Sequence, residues 1–157
     1  GESFELVFNK KKFIIEVFKS NHRVPTISYG FNFVTKKLKE EYQNLQGKEI
    51  AKLKKEGVEI NYELIVPSLL FVGDTDKIFF ENTDIFKYKN IIIECTFFDE
   101  GEIGMSSERK HMHWIYLSNI IKKFSEINFF IIHISARHIK DYKNYVENYE
   151  NLRFLYD

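Results

Sequence analysis

The sequence predicts an α/β fold in which a mixed β-sheet carries helices on one face. Two observations favour this fold. The first part of the chain contains short segments rich in aromatic and β-branched residues, separated by turn-like residues, a pattern typical of antiparallel strands. The second half alternates fully apolar runs with a segment of helical periodicity, which indicates buried strands packed against helices. The 157 residues suit one domain or part of one.

The first half is predicted to contain four strands and two short helices. Strands are expected over residues 4–8, 11–20 and 27–34. Residues 36–55 change to helical spacing, and Gly47 interrupts it, which predicts two short helices. A strand over residues 58–65 follows, and Pro67 is expected to end it.

The second half is predicted to contain three buried strands and two helices. The strands cover residues 68–75, 90–98 and 128–135, each an apolar run without alternation. A helix over residues 113–126 precedes the third strand, and a closing helix over residues 139–149 follows it. We therefore expect the order strand, strand, helix, strand, helix.

Composition excludes several classes of protein. The formal net charge is zero, so a nucleic-acid binder would need a local basic patch. The single cysteine cannot form an internal disulfide, which argues against an oxidised, secreted protein. No apolar run reaches the roughly 18 residues of a membrane-spanning helix. We expect a soluble, intracellular protein without a membrane partner.

Polar triplets follow the three buried strands. They contain Asp74, Glu94 and His133. Because the carboxyl ends of strands in α/β sheets form ligand sites, we expect these side chains to lie close together, with His22 and His111 as further candidates. An aspartate and two histidines from separate segments can bind zinc.

The same residues also have structural interpretations. A histidine at a strand end is more often a hydrogen-bonded structural residue than a ligand. Asp74 lies in a Gly-Asp-Thr triplet typical of turns, and Glu94 has Lys89 and Arg109 as potential ion-pair partners. His113 and His138 have no strand-end setting, and we interpret both as surface residues or residues behind the site.

Five motifs, taken in order, resemble the ribonuclease Z family of tRNA 3′-end endonucleases, in particular its short form. They are "HRVPTISY" from His22, "GDT" around Asp74, "ECTF" from Glu94, "HMH" from His111 and "HISAR" from His133. The resemblance covers nearly the whole chain. It implies a metallo-β-lactamase fold, a four-layered αββα sandwich, and removal of the 3′ trailer of precursor tRNA.

The resemblance also implies roles for individual residues. His22, Asp74 and His133 match zinc ligands, with Asp74 bridging the two zinc ions of the complete enzyme. His111, oriented by Glu94, matches the proton donor to the leaving ribose oxygen.

The chain departs from the family pattern in one large respect and three small ones. The "HxHxDH" motif, which supplies most of the zinc ligands, does not occur in the sequence. We therefore expect residues 1–157 to form the C-terminal half of the domain, with weak or no metal binding and no activity alone. The missing half, in the same or another chain, is the expected partner, and a second copy of the chain is another. The small departures, Ser28, Cys95 and His138, are expected to be tolerated.

A basic segment occupies the place of the family's tRNA-binding arm. It covers about residues 36–56 and is predicted to be a helical insertion. Its candidate RNA-binding lysines are Lys36, Lys37, Lys39, Lys52, Lys54 and Lys55. The alternative is a packed helical pair with a solvated lysine face. If these lysines contact phosphates, RNA affinity should fall steeply with salt.

Two other functions stay open from the sequence. One is an inactive binding or scaffold domain that keeps the fold, which the missing motif favours. The other is a different hydrolase of the superfamily, acting on a phosphodiester or ester, although the presence of both Glu94 and His111 favours the nuclease.

Overall fold

A computed structural model describes residues 2–155 of the chain. Within these residues, strands in chain order build one seven-stranded sheet. The strands are β1 (Glu2–Phe8), β2 (Lys11–Lys19), β3 (Ile27–Leu38), β4 (Asn61–Phe71), β5 (Asn90–Glu94), β6 (Asn128–Ile132) and β7 (Leu152–Phe154). β1 to β4 pair in antiparallel fashion, whereas β4 to β7 are parallel. The predicted mixed sheet is therefore confirmed.

The helices are short and connect the strands. They are α1 (Gly47–Lys55), α2 (Ile103–Arg109) and α3 (Trp114–Lys123), with 3₁₀ turns at Glu40–Tyr42, Lys77–Glu81, Thr83–Lys87, Glu100–Glu102 and Tyr142–Asn144. Across residues 2–155, no helix combines the length and apolarity needed to span a membrane.

The predicted closing helix over residues 139–149 is wrong. This part of the chain makes one 3₁₀ turn, Tyr142–Asn144, and then enters β7. Tyr142 packs into the core beside Phe98, with ring centroids 6.1 Å apart, and Tyr149 packs beside Trp114 at 6.3 Å. These separate aromatic contacts, rather than a regular helical face, determine the path of the chain.

The prediction that Pro67 ends a strand is also wrong. β4 runs through Pro67, so two predicted strands are one. Pro67 lies opposite Asn32, where the register between β3 and β4 shifts at a bulge. A bulge accommodates a residue that cannot donate a backbone hydrogen bond. The Asn32 side-chain amide donates to the Ile14 carbonyl of β2, the strand on the other side of β3, at 2.9 Å.

Helix α3 packs on one face of the parallel strands, on the side where helices were predicted. Leu70, Ile91, Phe129 and Leu152 lie side by side across β4 to β7. All four belong to the buried core cluster, which also contains Leu117 and Ile121 of α3. The core thus sits between α3 and the strands whose ends carry the candidate site.

The opposite face of the antiparallel strands is apolar and partly exposed. We call it the open face and define it by Phe4, Leu6, Phe8, Phe13, Phe33 and Phe71, which the strand register places on one side of the sheet. Phe4, Leu6, Phe8, Phe33 and Phe71 are 41–64% exposed. Soluble domains rarely leave so many neighbouring large apolar side chains in water, and a contiguous apolar face of this kind is typical of binding surfaces.

The basic segment forms the tip of a long β-hairpin. β3 and β4 continue as a two-stranded ribbon as far as Leu38 opposite Asn61, and α1 lies in the connection between them. The two predicted short helices correspond to the 3₁₀ turn Glu40–Tyr42 and to α1. The helical insertion is shorter than predicted, because Lys36 and Lys37 belong to β3. These two lysines pair with residues of β4, so they lengthen the two-stranded ribbon and are not helical.

Candidate metal and proton-transfer site

Three neighbouring parallel strands deliver the candidate residues to one edge of the sheet. Asp74 follows β4, Glu94 is the last residue of β5, and His133 follows β6 directly. His133 adopts a left-handed backbone conformation with φ of 55°, which turns the chain sharply at the end of its strand. The predicted convergence at the carboxyl ends of the strands is therefore observed.

Four side chains at this edge come within reach of a single metal ion. The ligand atoms of Asp74, Glu94, His111 and His133 all lie within 4.8 Å of one another. His133 Nδ1 is 3.1 Å from Asp74 Oδ1, and these two side chains are 49% and 41% exposed. Carboxylate and imidazole donors are a set that zinc accepts, and the exposure leaves them accessible to a substrate.

Glu94 is a buried carboxylate held by several donors. Its residue is 1% exposed. Oε1 accepts from the Thr75 amide at 3.1 Å and lies 2.7 Å from His111 Nδ1, while Oε2 accepts from the Thr96 hydroxyl at 2.5 Å. These bonds offset the cost of burying the charge. The partner of Glu94 is thus His111, and the sequence did not mark Thr75 or Thr96 as supporting residues.

The pairing with Glu94 changes the acid–base behaviour of His111. The hydrogen bond to the carboxylate raises the pKa of His111 above its ordinary value, because it outweighs the opposing effect of burial. The bond also occupies Nδ1 and leaves Nε2 as the reactive ring nitrogen. The geometry suits a histidine that carries a proton and releases it from Nε2.

The His22 ring contacts the His111 ring. The two Nε2 atoms are 3.3 Å apart, and the rings meet edge to face with centroids 4.7 Å apart. Two imidazole nitrogens at this distance need a proton or a cation between or beside them, because two bare lone pairs repel each other. His22 therefore contacts the site through His111 and is not one of the four residues whose ligand atoms lie within 4.8 Å of one another.

His113 and His138 are not surface residues. His113 is 1% exposed and caps α3: its Nδ1 accepts from the Ile115 amide at 3.1 Å. His138 is 6% exposed, with Nε2 2.6 Å from Glu102 and Nδ1 3.3 Å from Asp141. Of the two interpretations given from the sequence, the surface location is wrong for both residues, and the location behind the site remains. The start of the predicted helix at residue 113 was the available signal for the capping role of His113.

Comparisons with known proteins show which proteins the chain resembles over most of its length. No family model matches the chain. It is 34% identical to tRNase Z TRZ1 of Arabidopsis thaliana over 142 residues, which are 88% of this chain and 50% of the relative. It is 31% identical to the chloroplastic tRNase Z TRZ2 of the same plant over 154 residues, or 93% of this chain and 42% of the relative.

A solved structure shows the same fold. The short form of human tRNase Z superposes with a TM-score of 0.50 over 97% of this chain and 43% of the human chain, at 13% identity. The chain spans about half the length of the curated relatives that it matches. The resemblance inferred from the motifs is therefore confirmed: over most of its length, this chain is homologous to about half of a tRNase Z.

Proposed function

We propose that the chain forms part of a zinc-dependent endoribonuclease that removes the 3′ trailer of precursor tRNA. The observation that carries the proposal is the meeting of His22, Asp74, Glu94, His111 and His133 at the ends of parallel strands. Relatives named tRNase Z support the choice of substrate.

Three residues would hold the metal. Asp74 would offer a carboxylate, and His22 and His133 would offer one imidazole each. Bound zinc would supply a hydroxide at neutral pH and would stabilise negative charge on the phosphate. Here the three residues supply a minority of the ligands that two zinc ions need, so the proposal requires further ligands from outside residues 1–157.

His111 and Glu94 would deliver a proton to the leaving group. Glu94 Oε1 holds the Nδ1–H of the ring at 2.7 Å, which fixes the orientation of the imidazole and favours its protonated form. The Nε2 proton then passes to the ribose 3′-oxygen as its bond to phosphorus breaks. The buried Thr75 and Thr96 hold Glu94 in place, so the ring keeps its position while the proton moves.

The remaining half of the enzyme would pack on the open face. In this proposal residues 1–157 are the C-terminal half of an αββα sandwich, and a second sheet covers the exposed aromatic residues. The hairpin of β3 and β4 projects from the sheet with lysines near its tip, Lys39 and Lys52 among them. We propose that these lysines contact phosphates of the tRNA.

A second candidate is an inactive scaffold of the same fold. The open face favours it, because aromatic side chains that are 41–64% exposed also suit a binding surface. The two candidates differ in one measurable property, since only the enzyme requires Asp74 for zinc binding and RNA cleavage.

The proposed function is tested in the longer protein that contains this chain, or in a chimera with the N-terminal half of the Arabidopsis relative. Asp74→Ala should abolish cleavage of precursor tRNA and lower the zinc content, because it removes a carboxylate that would hold the metal. Retention of two zinc ions and normal turnover in this variant would exclude the metal assignment.

Substrate choice separates proton donation from metal binding. His111→Ala should lower kcat on precursor tRNA by about 10²–10⁴-fold with zinc content retained. A nitrophenyl phosphodiester has a leaving group that needs no proton, so on this substrate His111→Ala should recover most of the lost rate. His133→Ala should stay inactive on both substrates. An equal loss for His111→Ala on both, or loss of zinc, would contradict the assignment.

A further inference from the structure

The Asn21 side chain lies at the junction of three loops. Its Nδ2 donates to both carboxylate oxygens of Asp76, at 2.9 and 2.8 Å. Its Oδ1 accepts from Lys110 Nζ at 3.3 Å. The backbone adds two bonds, because the Asn21 amide donates to Thr75 Oγ1 at 2.9 Å and the Asn21 carbonyl accepts from the Asp76 amide at 3.2 Å.

The contacts of Asn21 lie within two residues of candidate site residues. Asn21 precedes His22 in the chain, Thr75 follows Asp74, and Lys110 precedes His111. The loops that carry these three residues come from different parts of the sequence. Through its side chain and its backbone, Asn21 therefore links the segments that support three candidate site residues.

The amide group has the chemistry that this junction needs. One end of the asparagine side chain donates and faces a carboxylate, and the other end accepts and faces an ammonium group. Asp76 is 9% exposed and also accepts from the Ile78 amide at 2.9 Å. An aspartate at position 21 would place two carboxylates in contact, although its shape is almost the same.

We propose that Asn21 is a positioning residue that fixes the relative placement of His22, Asp74 and His111. Its bond network holds the His22 and His111 rings at their observed Nε2–Nε2 distance of 3.3 Å. The structural part of this inference stands on these contacts alone. Its consequence for catalysis rests on the proposed function, in which His22 and Asp74 share an ion and His111 donates the proton.

An exchange of the two polar groups tests the proposal. The variants are Asn21→Asp, Asp76→Asn and the double variant that carries both changes. In the double variant the amide donor sits at position 76 and the carboxylate at position 21, so their hydrogen bond is restored and the contact with Lys110 becomes an ion pair. Asn148→Asp, at an exposed position, introduces the same charge as a control.

Two readouts distinguish positioning from a general loss of stability. The first is NMR of the ring nitrogens of His22 and His111 in the 157-residue chain, with a chelator present and at one fixed pH. The second is the zinc concentration that gives half of the maximal cleavage rate in the longer protein. Thermal unfolding of every variant shows whether the fold is retained.

We expect each single variant to shift the His22 and His111 signals and to raise the zinc requirement by about 10–100-fold, the usual size for residues that support metal ligands. The double variant should restore the histidine signals and the zinc requirement, and the Asn148→Asp control should change neither of them. Unchanged histidine signals in Asn21→Asp, or a double variant no better than the single ones, would overturn the proposal. If the histidine signals respond as expected while the parent protein cleaves no RNA, the positioning inference holds and the proposed function fails.

Discussion

At the scale of one residue, Glu94 is a buried carboxylate that several donors hold in place at the candidate site. The carboxylate is 1% exposed, yet the Thr75 amide, the Thr96 hydroxyl and the His111 ring all contact it. A buried charge with this many donors is rigid, because moving it would leave unpaired groups behind. Because the closest contact of His111 Nδ1 is with Glu94, the fixed carboxylate also restricts the orientation of the His111 ring.

The pKa of His111 provides a test of this pairing. Because the bond to Glu94 is the largest cause of the raised pKa, Glu94→Gln should move the pKa back towards its ordinary value. NMR titration of His111 in the chelator-treated chain measures the shift. The exposed Glu59→Gln is the control and should leave the titration of His111 unchanged.

The same pairing predicts the pH dependence of stability. A histidine whose pKa is raised by folding stabilises the protein fully below its unfolded pKa of about 6.5, and this contribution is lost as the pH rises through the folded pKa. The difference in unfolding free energy between the parent chain and Glu94→Gln should therefore be larger near pH 6 than near pH 8. Urea unfolding at both values measures it, and a difference independent of pH would contradict the pairing.

At the scale of elements, β3 is fixed against the chain that leads into β5. Gly30 of β3 passes directly over Tyr88, and a Cβ atom at position 30 would collide with the phenol oxygen and ring. Tyr88 is fully buried, and burial raises the pKa of its hydroxyl to about 12. The hydroxyl lies 3.3 Å from the Asn32 side-chain amide. The close approach therefore connects the hairpin to the core beneath the parallel strands.

Gly30→Ala should destabilise the chain by about 1–3 kcal/mol, the usual cost of adding atoms to a filled core. Urea unfolding monitored by circular dichroism measures the change. Gly104→Ala in α2 is the matched control, since a Cβ atom there meets nothing within 4 Å. It should stabilise the protein by about 0.5–1 kcal/mol, because alanine suits a helix better than glycine. Equal effects of the two substitutions would show that Tyr88 can move aside.

At the scale of the whole molecule, the two faces of the sheet differ in what covers them. The parallel strands pack against α3 and bury Leu70 and Phe129 completely. The open face leaves Phe8 64% exposed and Phe33 41% exposed. A homologue of about twice the length has enough further chain to cover such a face, so the proposed function predicts that additional chain packs here in a longer protein.

Neighbouring residues of β1 allow this expectation to be tested. Phe8 belongs to the open face, whereas Val7, 67% exposed, points to the other side of the strand. In the 157-residue chain, Phe8→Ser and Val7→Ser should both change the unfolding free energy little. In the longer protein, Phe8→Ser should cost about 1.5–3 kcal/mol, the value of burying a phenylalanine side chain, and Val7→Ser should cost less. Equal costs in the longer protein would argue against a partner sheet on the open face.

Local patterns in the sequence determined most of the strands and the order of the motifs. Apolar runs and alternation depend on neighbouring residues, so the positions of β1 to β3, β5 and β6 could be predicted from them. The rule that ligands lie at the carboxyl ends of parallel strands then brought Asp74, Glu94 and His133 together. These predictions needed no knowledge of which distant residues touch.

Only the tertiary structure decided the features that depend on distant contacts. Pro67 continues β4 because the bulge opposite Asn32 accommodates it, and the segment after His138 forms no long helix because its tyrosines pack against separate core residues. The link from Asn21 to Asp76 across 55 positions belongs to the same class, whereas the contact between Glu94 and His111 was already expected from the family resemblance. Hydrogen bonds and packing between residues far apart in sequence leave no periodic pattern, so only the folded chain reveals them.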